Sequence, residues 1–259
     1  MRFIKDMFGL KGKVAAVIGG GGVLAGEMAK GLAQAGADIA ILDLNADTAQ
    51  NMADSMKKFG VRSMAVPVNA AIKADLFTAA QRIKAELDTA DILINAAGIN
   101  SATPFFAISE EEFDKIMAVN LKSMFFACQV FGQHMIDEQK KGSIINISSA
   151  SSGPPLSKVF TYGISKAGVN NLTQWLAREW ATKGVRVNAI APGFFPAEQN
   201  RKILTHERVA DIKRHTPMDR FGEAEELVGA TIWLASERAS SFVTGAIIRV
   251  DGGYTAMTI

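Results

Sequence analysis

A single cysteine, Cys128, stands in 259 residues, so no disulfide can form within the chain. That fits a reducing compartment, and Cys128, set in the apolar run 124–130, reads as a small buried residue. An excess of one charge is also lacking: 28 Lys and Arg against 26 Asp and Glu leave a formal net charge of +2. The basic residues are scattered, which argues against nucleic acid or an anionic membrane as a partner. No segment approaches the roughly 18 consecutive apolar residues of a membrane span. The opening MRFIKDMFGLKGK carries Asp6 and no apolar stretch of signal-peptide length, so the expected location is the cytoplasm. His134, His206 and His215 show no metal-ligand spacing and read as solvated or capping residues, with no metal implied. No linker, charge block or low-complexity tract divides the chain, so residues 1–259 are expected to form one domain.

What is present alternates. Short β-branched runs at 13–18 (KVAAVI), 38–43 (DIAILD), 61–68, 91–95 (DILIN), 143–148 (SIINIS), 185–190 (VRVNAI) and 246–250 (AIIRV) read as strands. Between them, 23–36, 46–59, 72–87, 110–138, 161–182 and 223–236 carry helical periodicity, with Ser109 as the expected N-cap residue of the fourth. The strands are short, almost wholly apolar and not alternating, the signature of strands covered on both faces. Repeated strand–helix–strand units predict an α/β, single-domain, doubly wound Rossmann fold with a central, mainly parallel seven-stranded sheet. The least regular stretch, 192–217, follows the sixth strand. Ligands in such folds bind beyond the carboxyl ends of strands, so a substrate lid is expected around 193–217.

Gly19, Gly20, Gly21 and Gly22 separate the first strand from its helix. Glycines there let the backbone approach a pyrophosphate, and the helix start at Val23 and Leu24 offers free N–H groups and a favourable dipole. Asp43 ends the second strand, where a carboxylate accepts from the adenosine ribose hydroxyls and repels a 2′-phosphate. Leu44 and Asn45 follow, with no Arg or Lys beside Asp43, so NAD is expected over NADP. Asn95, Ala96, Ala97 and Gly98 leave the fourth strand. The small residues keep room for a flat ring, and Asn95 can tie neighbouring strand ends.

Tyr162 and Lys166 lie four apart in a helical segment and share a face. An ammonium beside a phenol favours the phenolate, which suits Tyr162 to general acid–base work. Ser149, thirteen residues earlier, can hydrogen-bond a carbonyl oxygen that Tyr162 protonates. Asn120 sits in an apolar helical setting where a carboxamide needs a partner. Arg201, with Gln199 and Asn200, lies in the expected lid, where an arginine can pair a carboxylate bidentately; Lys158 is a second such candidate.

These motifs, in register, resemble the short-chain dehydrogenase/reductase family over essentially the whole chain. The resemblance rests on Gly19 to Gly22, Asn95-Ala96-Ala97-Gly98, Asn120, the run 142–149, Tyr162-x-x-x-Lys166, the run 186–193 and Val250-Asp251-Gly252-Gly253. It implies Tyr162 as catalytic acid/base and Lys166 as its pKa-lowering, ribose-holding partner. It further implies Ser149 as the carbonyl-orienting hydroxyl and Asn120 as support for a relay water near Lys166. Pro192 and Gly193, with Phe195 close by, would flank the nicotinamide, and Asn69, with Ala70, would meet the adenine. Hydride transfer between nicotinamide and a carbinol or carbonyl carbon, in a homotetramer, is the implied activity. The stretches GGGGVL, LTQWLA, APGFFPAEQNR, HTPMDRFG and SSFVTG are similar to a branch of D-mannonate oxidoreductases, or D-fructuronate reductases, implying a sugar acid or polyol as substrate. Ile18, Val23, Ala25, Asn69 and Ala197 depart from the family pattern, all at the cofactor end; Ile18 removes a hydroxyl that braces the glycine turn. Weaker or altered cofactor binding is therefore expected before loss of chemistry. Two other readings stay open: a cofactor-sensing nucleotide-binding protein without turnover, and a reductase of another carbonyl such as a 3-ketoacyl thioester.

Overall fold

Successive residues of each strand serve opposite faces of one sheet, which is why the apolar runs do not alternate. The computed structural model describes residues 2–196 and 205–257. Its strands are β1 (Val14–Ile18), β2 (Asp38–Asp43), β3 (Ser63–Pro67), β4 (Ile92–Asn95), β5 (Ser143–Ile147), β6 (Arg186–Pro192) and β7 (Ile247–Val250). They form a seven-stranded sheet in the order β3-β2-β1-β4-β5-β6-β7, and every pairing is parallel.

Helices cover both faces. Ala16, Ile18, Ala40 and Leu42 join one core with Leu76 and Ile83 of α4 (Lys73–Glu86) and Phe131 of α6 (Ser123–Asp137). Their neighbours Ala15, Val17, Ile39 and Ile41 join the other core. It takes in Met28 and Leu32 of α2 (Val23–Gln34), Ala53 of α3 (Ala46–Met56) and Leu234 of α9 (Val228–Ala235). Burying apolar surface on both sides is the main stabilising term, at about 25 cal/mol per Å². Among the described residues, no helix is long and apolar enough to cross a membrane.

Three local features depart from the sequence-based reading. The helix expected over 110–138 divides into α5 (Glu110–Met117), a π-helical turn at Ala118–Lys122 and α6. Asn120 sits in that turn, and its side chain is drawn out of the helix by partners described below. Ser109 does cap α5, accepting from the Glu112 N–H at 3.1 Å. The irregular stretch 192–217 contains α8 (His206–Arg214), started by Thr205, whose hydroxyl accepts from the Arg208 N–H. A short helix α1 (Arg2–Phe8) was not expected from the sequence. It docks by its carbonyls: Ser236 donates to Met7 O at 2.6 Å, and Arg238, in α10 (Glu237–Ser240), donates to Asp6 O at 3.2 Å.

The strand order positions the site. The chain leaves β1 toward β2 and β3, then returns to place β4 on the other side of β1. A crevice opens where the order reverses, beyond the carboxyl ends of β1 and β4. The turns that follow those two strands, Gly19 to Gly22 and Ala96 to Gly98, therefore face each other.

Candidate active site

A cavity of about 830 Å³ occupies this crevice. On the β1 side it is lined by Gly19, Gly22, Val23 and Leu24; on the β4 side by Ala96 and Gly98. Ser149, Lys158, Tyr162 and Lys166 line its far part, with Gly193 and Phe195 beyond β6. Gly21, Asp43, Leu44, Asn69 and Ala70 lie at the ends of β1, β2 and β3, outside this cavity. Ala197, Gln199, Asn200 and Arg201 lie outside the described residues.

The glycine end fits a dinucleotide. Gly19 has φ +75°, and a Cβ there would come within 2.8 Å of the Ala97 N. A side chain at this position would close the crevice. α2 begins at Gly22 with no side-chain cap, so the protein supplies no oxygen of its own to the first turn. Bare N–H groups at a helix start suit a pyrophosphate. The hydroxyl absent at Ile18 has a substitute: Asp43 Oδ2 accepts from the Gly21 N–H at 3.0 Å. The other carboxylate oxygen accepts from the Asn45 N–H at 3.1 Å. Asn69 Oδ1 accepts from the Ala71 N–H at 3.1 Å, so one of its lone pairs is already engaged.

Asn95, one of the expected cofactor contacts, spends its side chain on the protein. Its side chain is 1% exposed and points into the sheet, not the cavity. Nδ2 donates to Asn146 Oδ1 at 2.8 Å, and Asn146 Nδ2 donates to Thr173 Oγ1 on α7 (Phe160–Trp180) at 2.9 Å. This chain ties β4 and β5 to the helix that carries Tyr162, so the strand-end tie read from sequence is present. Pro192 is likewise buried at the end of β6. Cys128 touches the same network, and burial pushes its thiol up to about 12, which leaves it inert.

At the chemical end, Tyr162 and Lys166 project from one face of α7 as their spacing requires. Lys166 Nζ lies 5.6 Å from the Tyr162 ring centroid and donates to Ile147 O at 2.7 Å. Burial lowers Lys166 to about 8. Burial pushes the Tyr162 phenol above its ordinary value, while a hydrogen bond with the Ser149 hydroxyl pulls it the other way. Of these two influences on the phenol in the free protein, burial is the larger.

Ser149 is unusually constrained. Its Oγ accepts from the Ser151 N–H at 3.1 Å and from Ser151 Oγ at 3.0 Å. A hydroxyl has two acceptor sites and one proton. Both acceptor sites are taken, so Ser149 can only donate to what lies above it. The serine loop is held in turn by Asn170, four residues after Lys166. Asn170 accepts from Ser148 Oγ at 2.6 Å and donates to Ser152 Oγ at 2.9 Å. Neither Ser151 nor Asn170 stood out in the sequence, because each acts through another residue.

Asn120 is fully buried, and its side chain is spent on the protein. Oδ1 accepts from the Ile99 N–H at 2.8 Å, and Nδ2 donates to Ile99 O at 2.9 Å and to Ser165 Oγ at 3.1 Å. It thereby fastens the segment after β4 to α7. The site's geometry is that of a proton-transfer group, a hydrogen-bond donor and a cation set beside a dinucleotide crevice.

Comparison with known proteins agrees. Residues 22–255 match the family described as enoyl-(acyl carrier protein) reductase. A 2-dehydro-3-deoxy-D-gluconate 5-dehydrogenase of Escherichia coli (strain K12) is 36% identical over 254 residues, covering 98% of this chain and 99% of that protein. A structure from Haemophilus influenza, named D-mannonate oxidoreductase and holding NAD, superposes with a TM-score of 0.93 at 35% identity, covering 98% and 99% of the two chains. A gluconate 5-dehydrogenase from Burkholderia cenocepacia J2315, in complex with NADP and tartrate, gives a TM-score of 0.93 at 34% identity, covering 98% and 100%. Sheet order, crevice and sequence together place this chain in the short-chain dehydrogenase/reductase family of CH–OH oxidoreductases.

Proposed function

We propose that the protein interconverts a secondary alcohol and a ketone on a six-carbon sugar acid, with NAD(H) as cofactor. The observation that carries this is the convergence of Ser149, Tyr162 and Lys166 on one cavity beside an uncapped helix start. The related dehydrogenases named for gluconate and 2-dehydro-3-deoxy-D-gluconate act at position 5, which supports reaction at C5, four carbons from the carboxylate. Asp43, with no basic neighbour in sequence, supports NAD; relatives hold either NAD or NADP.

A nicotinamide dinucleotide bound along Gly19, Gly22, Val23 and Leu24 supplies the hydride acceptor or donor. The chain's own residues handle the proton. In reduction, Ser149 donates a hydrogen bond to the carbonyl oxygen, and Tyr162 Oη gives that oxygen its proton. In oxidation, the Tyr162 phenolate, stabilised by the Lys166 ammonium and by Ser149, takes the proton from the hydroxyl and becomes the neutral phenol. Asn120 holds the segment after β4 against α7, and so fixes Lys166 relative to Gly98; a relay water would need the Asn120 backbone, since its side chain is engaged. Residues 193–196 and the start of α8 border the substrate end, which supports a lid over 193–217. The exposed Phe113, Phe125 and Trp175 on α5, α6 and α7 support assembly into a homotetramer.

The test is to offer NADH and NADPH separately with D-fructuronate, 5-ketogluconate and acetoacetyl thioester, following absorbance of the reduced cofactor. Turnover of a sugar acid with NADH is expected. Turnover confined to the thioester would overturn the substrate, and a preference for NADPH would overturn the reading of Asp43. NADH binding without turnover of any carbonyl would favour a cofactor sensor.

A further inference from the structure

The cavity around Tyr162 carries charge of one sign. Its described ionic lining consists of Lys158, Lys166 and Arg208, with no Asp or Glu among the described lining residues. Like charges around one partly desolvated volume raise each other's energy, and an entering carboxylate relieves that. Lys166 is already engaged by Ile147 O and serves the reacting end. Lys158 and Arg208 are left at the opposite, outer end.

Arg208 is half-buried in the first turn of α8. Its Nη1 donates to Ser157 Oγ at 3.0 Å, joining α8 to the loop between Ser149 and Tyr162. That bond uses one of five guanidinium N–H groups and leaves the rest of the fork. No carboxylate among the described lining residues accompanies Arg208 or Lys158 at the cavity. Lys158, next to Ser157, has φ +66°, a left-handed backbone that non-glycine residues seldom adopt. A backbone of this kind persists where the surrounding structure holds it, and it clusters at ligand-binding sites. Here that side chain borders the cavity.

We propose that Arg208, supported by Lys158, binds the carboxylate of the substrate and so selects sugar acids over neutral polyols with the same reacting carbon. A guanidinium fork matches the two oxygens of a carboxylate, and a Ser157-anchored fork has less rotamer entropy to lose on binding. The assignment rests on the sugar-acid reading above and names the residue that would enforce it. Arg201, the arginine favoured by the sequence, lies outside the described residues; among the described residues, Arg208 is the arginine that lines the cavity.

The experiment has two arms. In the first, D-fructuronate and D-fructose, which differ by the carboxylate, are reduced with NADH by the wild type, Arg208→Ala, Arg208→Lys and Lys158→Ala. Arg208→Ala should raise KM for D-fructuronate by about 10- to 100-fold, the loss expected for a charged hydrogen-bonded pair. D-Fructose should change by less than about 3-fold, and Arg208→Lys should recover part of the loss. In the second arm, calorimetry follows tartrate, and separately neutral threitol, binding to the NADH-loaded enzyme. Tartrate should bind the wild type and Tyr162→Phe, and bind Arg208→Ala at least about 10-fold more weakly. Equal losses on acid and neutral substrate, or unchanged tartrate affinity in Arg208→Ala, would overturn the proposal. If the wild type turns over no sugar acid yet tartrate binding still depends on Arg208, the substrate reading fails and the anion site stands.

Discussion

Asp43 Oδ2 accepts the Gly21 N–H at 3.0 Å, tying the end of β2 to the glycine turn that follows β1. Ile18 offers the turn no hydroxyl, and this carboxylate braces it. The fit is close: a Cβ at Gly21 would stand 2.9 Å from that oxygen and 2.6 Å from Thr48 Oγ1. The residue expected to read the ribose therefore also shapes the pyrophosphate turn.

That double duty predicts how Asp43→Ala behaves. NADH affinity should fall about 10- to 100-fold, since a charge-assisted acceptor and a turn tie are lost together. NADPH should gain little, because removing the charge also loosens the turn. Fluorescence titration with both cofactors checks this. A variant that binds NADPH as tightly as the wild type binds NADH would show that the tie to Gly21 is dispensable.

Tyr162→Phe removes the proton-transfer atom and little else. Turnover should fall below about 1% of wild type, in line with loss of a general acid–base group. NADH affinity should stay within about 3-fold. Substantial residual turnover would point to a different acid.

Ser151→Ala frees an acceptor site on Ser149 and lets its hydroxyl turn away. Both kcat values should fall about 10-fold, the effect of about one lost hydrogen bond. The rise of alcohol oxidation with pH should move to higher pH, because Ser149 no longer reliably donates to the phenolate. Ser151→Thr keeps the hydroxyl and should recover most of the rate and the profile. A profile unmoved in Ser151→Ala would reduce Ser151 to a packing residue.

Lys166 predicts a pH-dependent stability. Burial holds it at about 8, below its ordinary 10.5, so folding disfavours the ammonium. Between those values the unfolded chain binds a proton that the folded chain has released, and stability rises with pH. Below pH 8 the full cost is present. The stability of wild type relative to Lys166→Met should therefore climb by about 1–3 kcal/mol from pH 7.5 to pH 10.5. Denaturant melts at three pH values measure it, and a constant gap would show that Lys166 keeps its proton when buried.

Much of this molecule was legible in the chain. Seven apolar runs without alternation marked strands covered on both sides, because each strand residue must match the face it meets. A spacing of four from Tyr162 to Lys166 sufficed to share a helical face, and Ser109 marks a helix start by capping a local N–H. The N-terminal α1 was missed since it is exposed, buries no residue of its own and is held by carbonyls that any sequence provides. The π turn at Asn120 was missed because its cause, the backbone of Ile99, lies 21 residues away.

By itself, then, the sequence determined the elements, their parallel arrangement and the types of residue available for proton transfer. Those signals act within a turn of helix or along one strand. The tertiary structure alone decided which distant groups meet: Gly19 against Ala97, Asn95 against Asn146, Ser151 beneath Ser149, and Arg208 beside Ser157 at the cavity. Each of these meetings depends on strand order and helix packing, where free energy is set by the burial of whole faces and not by the spacing of any short motif.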